Sequence, residues 1–282
     1  MKKLIALLLT LALAAGCCLP ALAAQTPLNY LLLGDSIAQG YGVVNRADAC
    51  YGRIVADTNG YNYKNLAWVA TDSSELLEEI ADDASYMKDW IAWADVISIS
   101  IGANDYFDSD DVYSLAIGAF LMVNGRRLDA IADQFYLNLC DIIGTIRTLN
   151  PDVTVLLQNV YDSVWTGIGT HVYKACINRV NDKIYQYDRE HPGAVEICDV
   201  GPAMNGRPEC LADDCVHPNA AGNVAIAEVV LQQLYDLGLG TQTTPVVNAP
   251  GIDYNYFEKY YENKTLARFL TVLVKLVTGN LR

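Results

Sequence analysis

Five short apolar runs, separated by longer stretches of helical period, constrain the fold of this chain more than any other feature. "LNYLLLG" (28–34), "YNYKNLAW" (61–68), "DVISISIG" (95–102), "VTVLLQNV" (153–160) and "AVEICDV" (194–200) read as strands. Near-continuous apolar strands are buried on both faces, which is the setting of a parallel sheet covered by helices. Residues 74–92, 129–149 and 171–190 read as helices between them. A last helix starts near Pro218, carries Val224, Ile226, Val229, Val230, Leu234 and Leu237, and stops at Gly238. Strand alternating with helix predicts an α/β fold, a three-layer α/β/α sandwich on a central parallel sheet. With 282 residues, 52% of them hydrophobic, the chain can bury a core without metals or dense cross-links.

The two ends read differently from this middle. Lys2 and Lys3 precede the apolar run "LIALLLTLALAAG", and Ala21-Leu22-Ala23 fits the small-residue rule for cleavage, so residues 1–23 read as a signal for export. A lipoprotein signal is the competing reading, through Ala14-Ala15-Gly16-Cys17, although Ala fits its first position weakly. The apolar run is short and breaks at Gly16 and Pro20, which argues against a transmembrane anchor. Residues 24–240 form the expected main domain, and "TQTTPVVNAPG" (241–251) reads as a linker. In 252–282, Leu266, Phe269, Leu270, Leu273, Leu276 and Val277 give one apolar helix face, which could pack on the domain, on a second copy or on a membrane surface.

A net charge of −14 argues against nucleic acid or an anionic membrane surface as the natural partner. Export leaves Cys50, Cys140, Cys176, Cys198, Cys210 and Cys215, without the C-x-x-C spacing of a zinc knuckle or a thioredoxin-type redox site. Buried thiols are the plain expectation. A small loop disulfide between Cys210 and Cys215 is the alternative.

In open parallel sheets, ligands bind at the carboxyl ends of the strands. Ser36 follows the first strand, Asn104 in "IGANDYF" follows the third, and Asp214 and His217 in "DDCVHPNAAG" follow the fifth. A serine hydroxyl becomes nucleophilic when a base takes its proton, and that base works best when a carboxylate fixes its tautomer. Of His171, His191 and His217, only His217 has an acid at a spacing that suits this, Asp214 three residues before it. The Gly-x-Ser-x-Gly elbow of α/β-hydrolases is absent, because Ala38 holds its last position.

"GDSIAQGYG", "GAND" and "DDCVHPN" together, in that order, resemble the SGNH or GDSL hydrolase family of esterases and lipases over residues 28–238. The resemblance implies a flavodoxin-like fold, no metal or other cofactor, and hydrolysis of carboxylic esters of carbohydrate or lipid. It implies Ser36 as nucleophile, His217 as base and Asp214 as the residue orienting it, with the Ser36 N–H and the Asn104 amide binding the oxyanion. A non-catalytic surface or carbohydrate-binding protein on the same fold is the other reading. The family's second block usually carries a glycine whose N–H is a further oxyanion donor, and "NLAWVATD" places Ala70 there. Alanine keeps the N–H but resists positive φ, so a turn that retains the family's course is expected to use angles that alanine adopts readily.

Overall fold

The structure, a computed structural model, describes residues 26–107, 125–163 and 170–254. The expected export signal and most of the C-terminal helix expected over 252–282 lie outside the described residues.

Five parallel strands form the sheet, in the order β2-β1-β3-β4-β5: β1 (Asn29–Gly34), β2 (Asn62–Asn65), β3 (Val96–Ser100), β4 (Thr154–Gln158) and β5 (Glu196–Cys198). Each lies inside the run that predicted it. Between β1 and β2 come α1 (Ser36–Gln39), α2 (Arg46–Ala49) and α3 (Tyr51–Asn59). Then follow α4 (Ser73–Ala81), α5 (Met87–Trp93), α6 (Asn104–Phe107), α7 (Gly125–Leu149), α8 (Thr170–Glu190), α9 (Gly201–Met204) and α10 (Ala220–Asp236). The expected three-layer sandwich is observed.

Alternation along β1 sorts the two cores. Leu31 and Leu33 pack with Ile97, Ile99, Val155 and Leu157 beneath α4, α5, α7 and α8. Tyr30 and Leu32 face the opposite layer, where Tyr51, Ile54 and Val55 of α3 meet Ile226, Val230, Leu231 and Leu234 of α10. Both faces of the central strands are therefore apolar, which explains why those strands read as continuous runs. Each fully buried Leu or Ile contributes roughly 1.5–3 kcal/mol.

The expected helix 74–92 is two helices. Asp82 Oδ1 accepts from the Ala84 N–H at 2.9 Å and Ser85 Oγ accepts from the Met87 N–H at 3.1 Å, so side chains satisfy the backbone where the first helix stops and the second starts. Residues 241–251, expected as a linker, lack regular secondary structure but lie hydrogen-bonded along α3 and onto the loop after α1.

All six cysteines of the described chain are free thiols, and the Cys210–Cys215 disulfide is not formed. Cys210 packs into the apolar layer beneath α10, whereas Cys215 occupies a tight turn with its Sγ directed at the Asp213 carbonyl, so the two side chains have separate surroundings.

Candidate active site

The chain leaves β1 toward β2 on one side and returns to β3 on the other, so the carboxyl ends of β1 and β3 flank the point where strand order reverses. Ser36 follows one of these ends and Asn104 the other. Gly34 is held at φ +117, and a Cβ there would lie 1.9 Å from the Ser100 carbonyl oxygen, so only glycine permits this approach. The Asp35 N–H then donates to that same oxygen at 3.0 Å. Asp35 caps α1, its Oδ1 accepting from the Ile37 N–H at 2.9 Å and from Ser100 Oγ at 3.2 Å. Burial pushes the Asp35 carboxyl up to about 6, against the lowering effect of these bonds and of nearby His217. Ser36 is thereby the first residue of a helix, where a backbone N–H has no intrahelical acceptor.

The loop before α10 closes on itself. The Ala212 N–H donates to the His217 carbonyl at 2.8 Å, and the Cys215 N–H to the Ala212 carbonyl at 3.0 Å across a turn in which Cys215 has φ +60. Asp214 points inward there. Its Oδ1 accepts from the N–H groups of Val216 and His217 at 2.9 and 3.0 Å, and its Oδ2 lies 2.6 Å from His217 Nδ1. His217 Nε2 lies 2.9 Å from Ser36 Oγ. Burial alone would raise the Asp214 carboxyl, but the bonds and charge of His217 and the two N–H donors outweigh it and hold it below the usual range.

Further bonds seat this loop. Asn219 caps α10 through the Gly222 N–H at 3.0 Å and donates to the Glu209 and Leu211 carbonyls. Asn223 accepts from the Tyr51 N–H at 2.9 Å while donating to the Pro218 and Asn219 carbonyls, tying α3 to the histidine loop. Gly42, after α1, touches the same loop so closely that a Cβ would lie 2.0 Å from the Pro218 oxygen.

On the other flank, Asn104 Nδ2 donates to the Thr71 carbonyl at 2.9 Å, which brings the "GAND" stretch against the Ala70 turn. That turn runs from Trp68 to Thr71, closed at 3.4 Å, and its Trp68 N–H is fastened to the Gly34 carbonyl at 2.9 Å. Ala70 is exposed, at φ +66. The expectation that alanine would settle at angles comfortable for it is thus corrected: the backbone takes a glycine-like course, and the methyl group bears the strain. Below the turn, the Ser73 N–H and hydroxyl both donate to the Asp105 carboxylate, and Asn138 donates to Ser73 Oγ at 2.8 Å. Burial pushes Asp105 up to about 6 in spite of the Ser73 bonds.

His191 stacks on Tyr187 at the end of α8, and position 171 lies in the first turn of that helix. Among the described residues, no three His, Cys, Asp or Glu side chains gather as metal ligands.

Several residues near the site were not singled out in the sequence. Asn65 donates to the Ala38 carbonyl at 2.9 Å and accepts from the Ala67 N–H, fixing α1 against the strand beside it. Trp68 and Tyr86, both exposed, border two adjoining grooves. The larger, about 790 Å³, reaches Gly34 and Thr71 and carries Glu75, Glu78, Glu79 and Asp82 on its walls. Tyr41 lies with its ring 4.8 Å from the His217 ring. The tryptophan in "NLAWVATD" was a visible signal, a large apolar side chain beside a turn; the positions of Tyr41 and Tyr86 depend on long-range packing.

A hydroxyl hydrogen-bonded to an imidazole that is itself bonded to a carboxylate can pass its proton to the ring while its oxygen attacks an electrophilic carbon. No curated protein sequence matches the chain. Solved structures do. A lipase from a goat rumen metagenome is 20% identical with a TM-score of 0.60, covering 76% of this chain and 98% of its own. An acetylxylan esterase from Geobacillus stearothermophilus is 17% identical with a TM-score of 0.54, covering 77% and 96%. A member of the lipolytic G-D-S-L family from Veillonella parvula is 17% identical with a TM-score of 0.53, covering 72% and 96%. At these identities the likeness is one of fold. The model of the GDSL-like Lipase/Acylhydrolase family matches residues 32–225, and the chain therefore belongs to that family of carboxylic ester hydrolases.

Proposed function

We propose that the protein is an exported serine esterase that works through an acyl-enzyme. His217 Nε2 takes the Ser36 proton as Ser36 Oγ attacks the ester carbonyl carbon. The C–O bond to the alcohol then breaks, and His217 returns the proton to the departing alkoxide. Water, deprotonated by the same nitrogen, attacks the acyl carbon; the bond from that carbon to Ser36 Oγ breaks, His217 returns the proton to Ser36 Oγ, and the acid leaves. Asp214 holds the imidazole in the tautomer whose Nε2 is the acceptor. The Ser36 N–H, the Asn104 amide and the Ala70 N–H receive the oxyanion. The observation that carries this reading is the unbroken line from Ser36 Oγ through His217 to Asp214, at 2.9 and 2.6 Å. Fluorophosphonate labelling tests it: the reagent is expected on Ser36, and neither Ser36→Ala nor His217→Ala should be labelled at a measurable rate.

For the substrate, esters of neutral carbohydrate fit better than lipid esters. Trp68 and Tyr86 offer exposed ring faces on which sugar rings can stack, beside a groove whose carboxylates can accept hydrogen bonds from hydroxyl groups and disfavour anionic headgroups. The acetylxylan esterase from Geobacillus stearothermophilus shares the fold. Hydrolysis of acetylated xylan measured beside p-nitrophenyl esters from acetate to long chains tests the choice, with Trp68→Ala expected to raise KM on the polymer alone. Export rests on residues 1–23, and N-terminal sequencing of the secreted protein should begin near Ala24.

A further inference from the structure

Residues 241–254 run from the end of the domain back to the active site. The Thr241 N–H donates to Asn59 Oδ1 at 2.9 Å, the Val246 N–H to Thr58 Oγ1 at 2.8 Å, and Asn248 Nδ2 to Asp57 Oδ2 at 3.0 Å, so the segment first follows α3. It then meets the loop after α1. Asn45 donates to the Pro250 carbonyl at 3.1 Å and accepts from the Ile252 N–H at 2.9 Å. The Val44 N–H donates to the Ile252 carbonyl at 2.7 Å, and the Tyr254 N–H to the Gly42 carbonyl at 2.9 Å, flanking an antiparallel bridge between Val43 and Asp253.

The last contacts reach the other catalytic loop. Asp253 Oδ1 accepts from the N–H of Ala220, the first residue of α10 and three residues beyond His217, at 2.8 Å. Gly251 lies so close to Ala220 that a Cβ there would come within 2.7 Å of the Ala220 side chain. One extended segment therefore binds both the loop that follows Ser36 and the helix that follows His217. Its final ring completes a row of three tilted rings: Tyr254 lies 5.5 Å from Tyr41, and Tyr41 lies 4.8 Å from His217 at an interplanar angle of 55°.

The imidazole makes its two hydrogen bonds through Nδ1 and Nε2, whose N–H and lone pair are directed in the plane of the ring. They resist in-plane displacement, but rotation about the axis joining those two nitrogens leaves both nearly intact. A ring in contact with the imidazole, as Tyr41 is at 4.8 Å between centroids, opposes that rotation. We infer that residues 250–254 act as an active-site strap and that Tyr41, held by Tyr254, is a positioning residue for His217. This rests on the proposed role of His217 as base.

The test uses the full exported chain and its Tyr41→Leu, Tyr41→Phe, Tyr254→Ala and Tyr254→Phe variants. Fluorophosphonate labelling counts competent Ser36, and kcat per labelled site and KM are measured on p-nitrophenyl acetate, with Tm recorded for each protein. Tyr41→Leu and Tyr254→Ala are expected to slow labelling and lower kcat per site about tenfold, with KM within twofold, because displacement of a catalytic group acts on the chemical step. Both phenylalanine variants keep the ring and should lie closer to wild type than the truncated variants, within about threefold of it. Should either truncation fail to fold, Asp253→Asn, which weakens only the bond to Ala220, is measured in its place and should lower kcat in the same direction. Unchanged labelling and kcat in the truncated or Asp253→Asn proteins would overturn the strap while leaving the proposed reaction standing. Absence of labelling in the wild type would instead remove the reaction itself, and the strap with it.

Discussion

The loop bearing Asp214 and His217 and the turn bearing Ala70 sit on opposite sides of Ser36 and are held in different ways. The first is closed by its own backbone bonds, capped by Asn219 and tied to α3 by Asn223. The second projects outward, joined to the sheet by the Trp68 N–H and to Asn104 by one side-chain bond, with an alanine at φ +66 in its centre. In the proposed reaction, proton transfer needs heavy atoms held within hydrogen-bond reach, and the many bonds of the Asp214–His217 loop suit that need. Oxyanion binding needs only an aimed N–H, and an exposed turn can supply that while leaving room for the substrate. Damage on the base side should therefore abolish chemistry, and damage on the oxyanion side should grade it.

The largest expected effect tests the first half of that statement. Ser36→Ala and His217→Ala, alone or together, should each lower kcat by roughly 10⁴-fold or more without loss of fold, because residues acting as a unit are not additive. A double variant far slower than either single one would show that the two do not act together. Next comes Asn104→Ala, expected to lower kcat about 10²- to 10³-fold with little change in KM. Equal losses at Asn104 and His217 would erase the contrast between the two sides.

The third prediction concerns pH and the foot of the Ala70 turn. Asp105, pushed up to about 6, binds a proton more readily in the folded chain than in the unfolded one. Between roughly pH 4 and 6 the folded state thus holds more protons, and stability falls as pH rises through that window. Asp105→Asn removes the effect. Denaturant unfolding should show the variant gaining on wild type as pH rises, by up to about 3 kcal/mol at pH 7, and matching it near pH 4. A constant difference across that range would contradict the assignment.

The smallest effect is at Ala70. Glycine relieves the strain of positive φ but loosens the unfolded chain, leaving a net gain of about 1 kcal/mol or less, or roughly 2–4 °C in Tm. Since the turn already follows the glycine-like course, kcat for Ala70→Gly should change by no more than a few-fold. A tenfold rise would mean that the methyl had been holding the donor out of line.

The sequence made the sheet legible because β1, β3 and β4 are apolar on both faces, and Ser36 and Asn104 fall within a few positions of the ends of β1 and β3, whereas Asp214 and His217 were legible through their own spacing, in the loop that leads into α10. The angle at Ala70 was not legible, since it follows from the anchoring of Trp68 to Gly34 and of Asn104 to Thr71 rather than from alanine's own preference. Helix α3 escaped notice because Gly52, Thr58 and Asn59 are weak helix formers, and its stability comes from Tyr51, Ile54 and Val55 packed under α10. The contact of Tyr41 with Tyr254 joins positions more than two hundred residues apart, and no local pattern encodes such a meeting.

Among the described residues, five of the six thiols are buried, and Cys198 within β5 is wholly enclosed, its thiol pushed up to about 12 by burial. Thiols so placed neither ionise nor meet reagents while the fold is closed. They make the protein its own clock for opening. Under an alkylating reagent, half-buried Cys140 should be modified first and Cys198 only as fast as the sheet itself comes apart, so mass spectrometry over time would read local and global unfolding from a single sample.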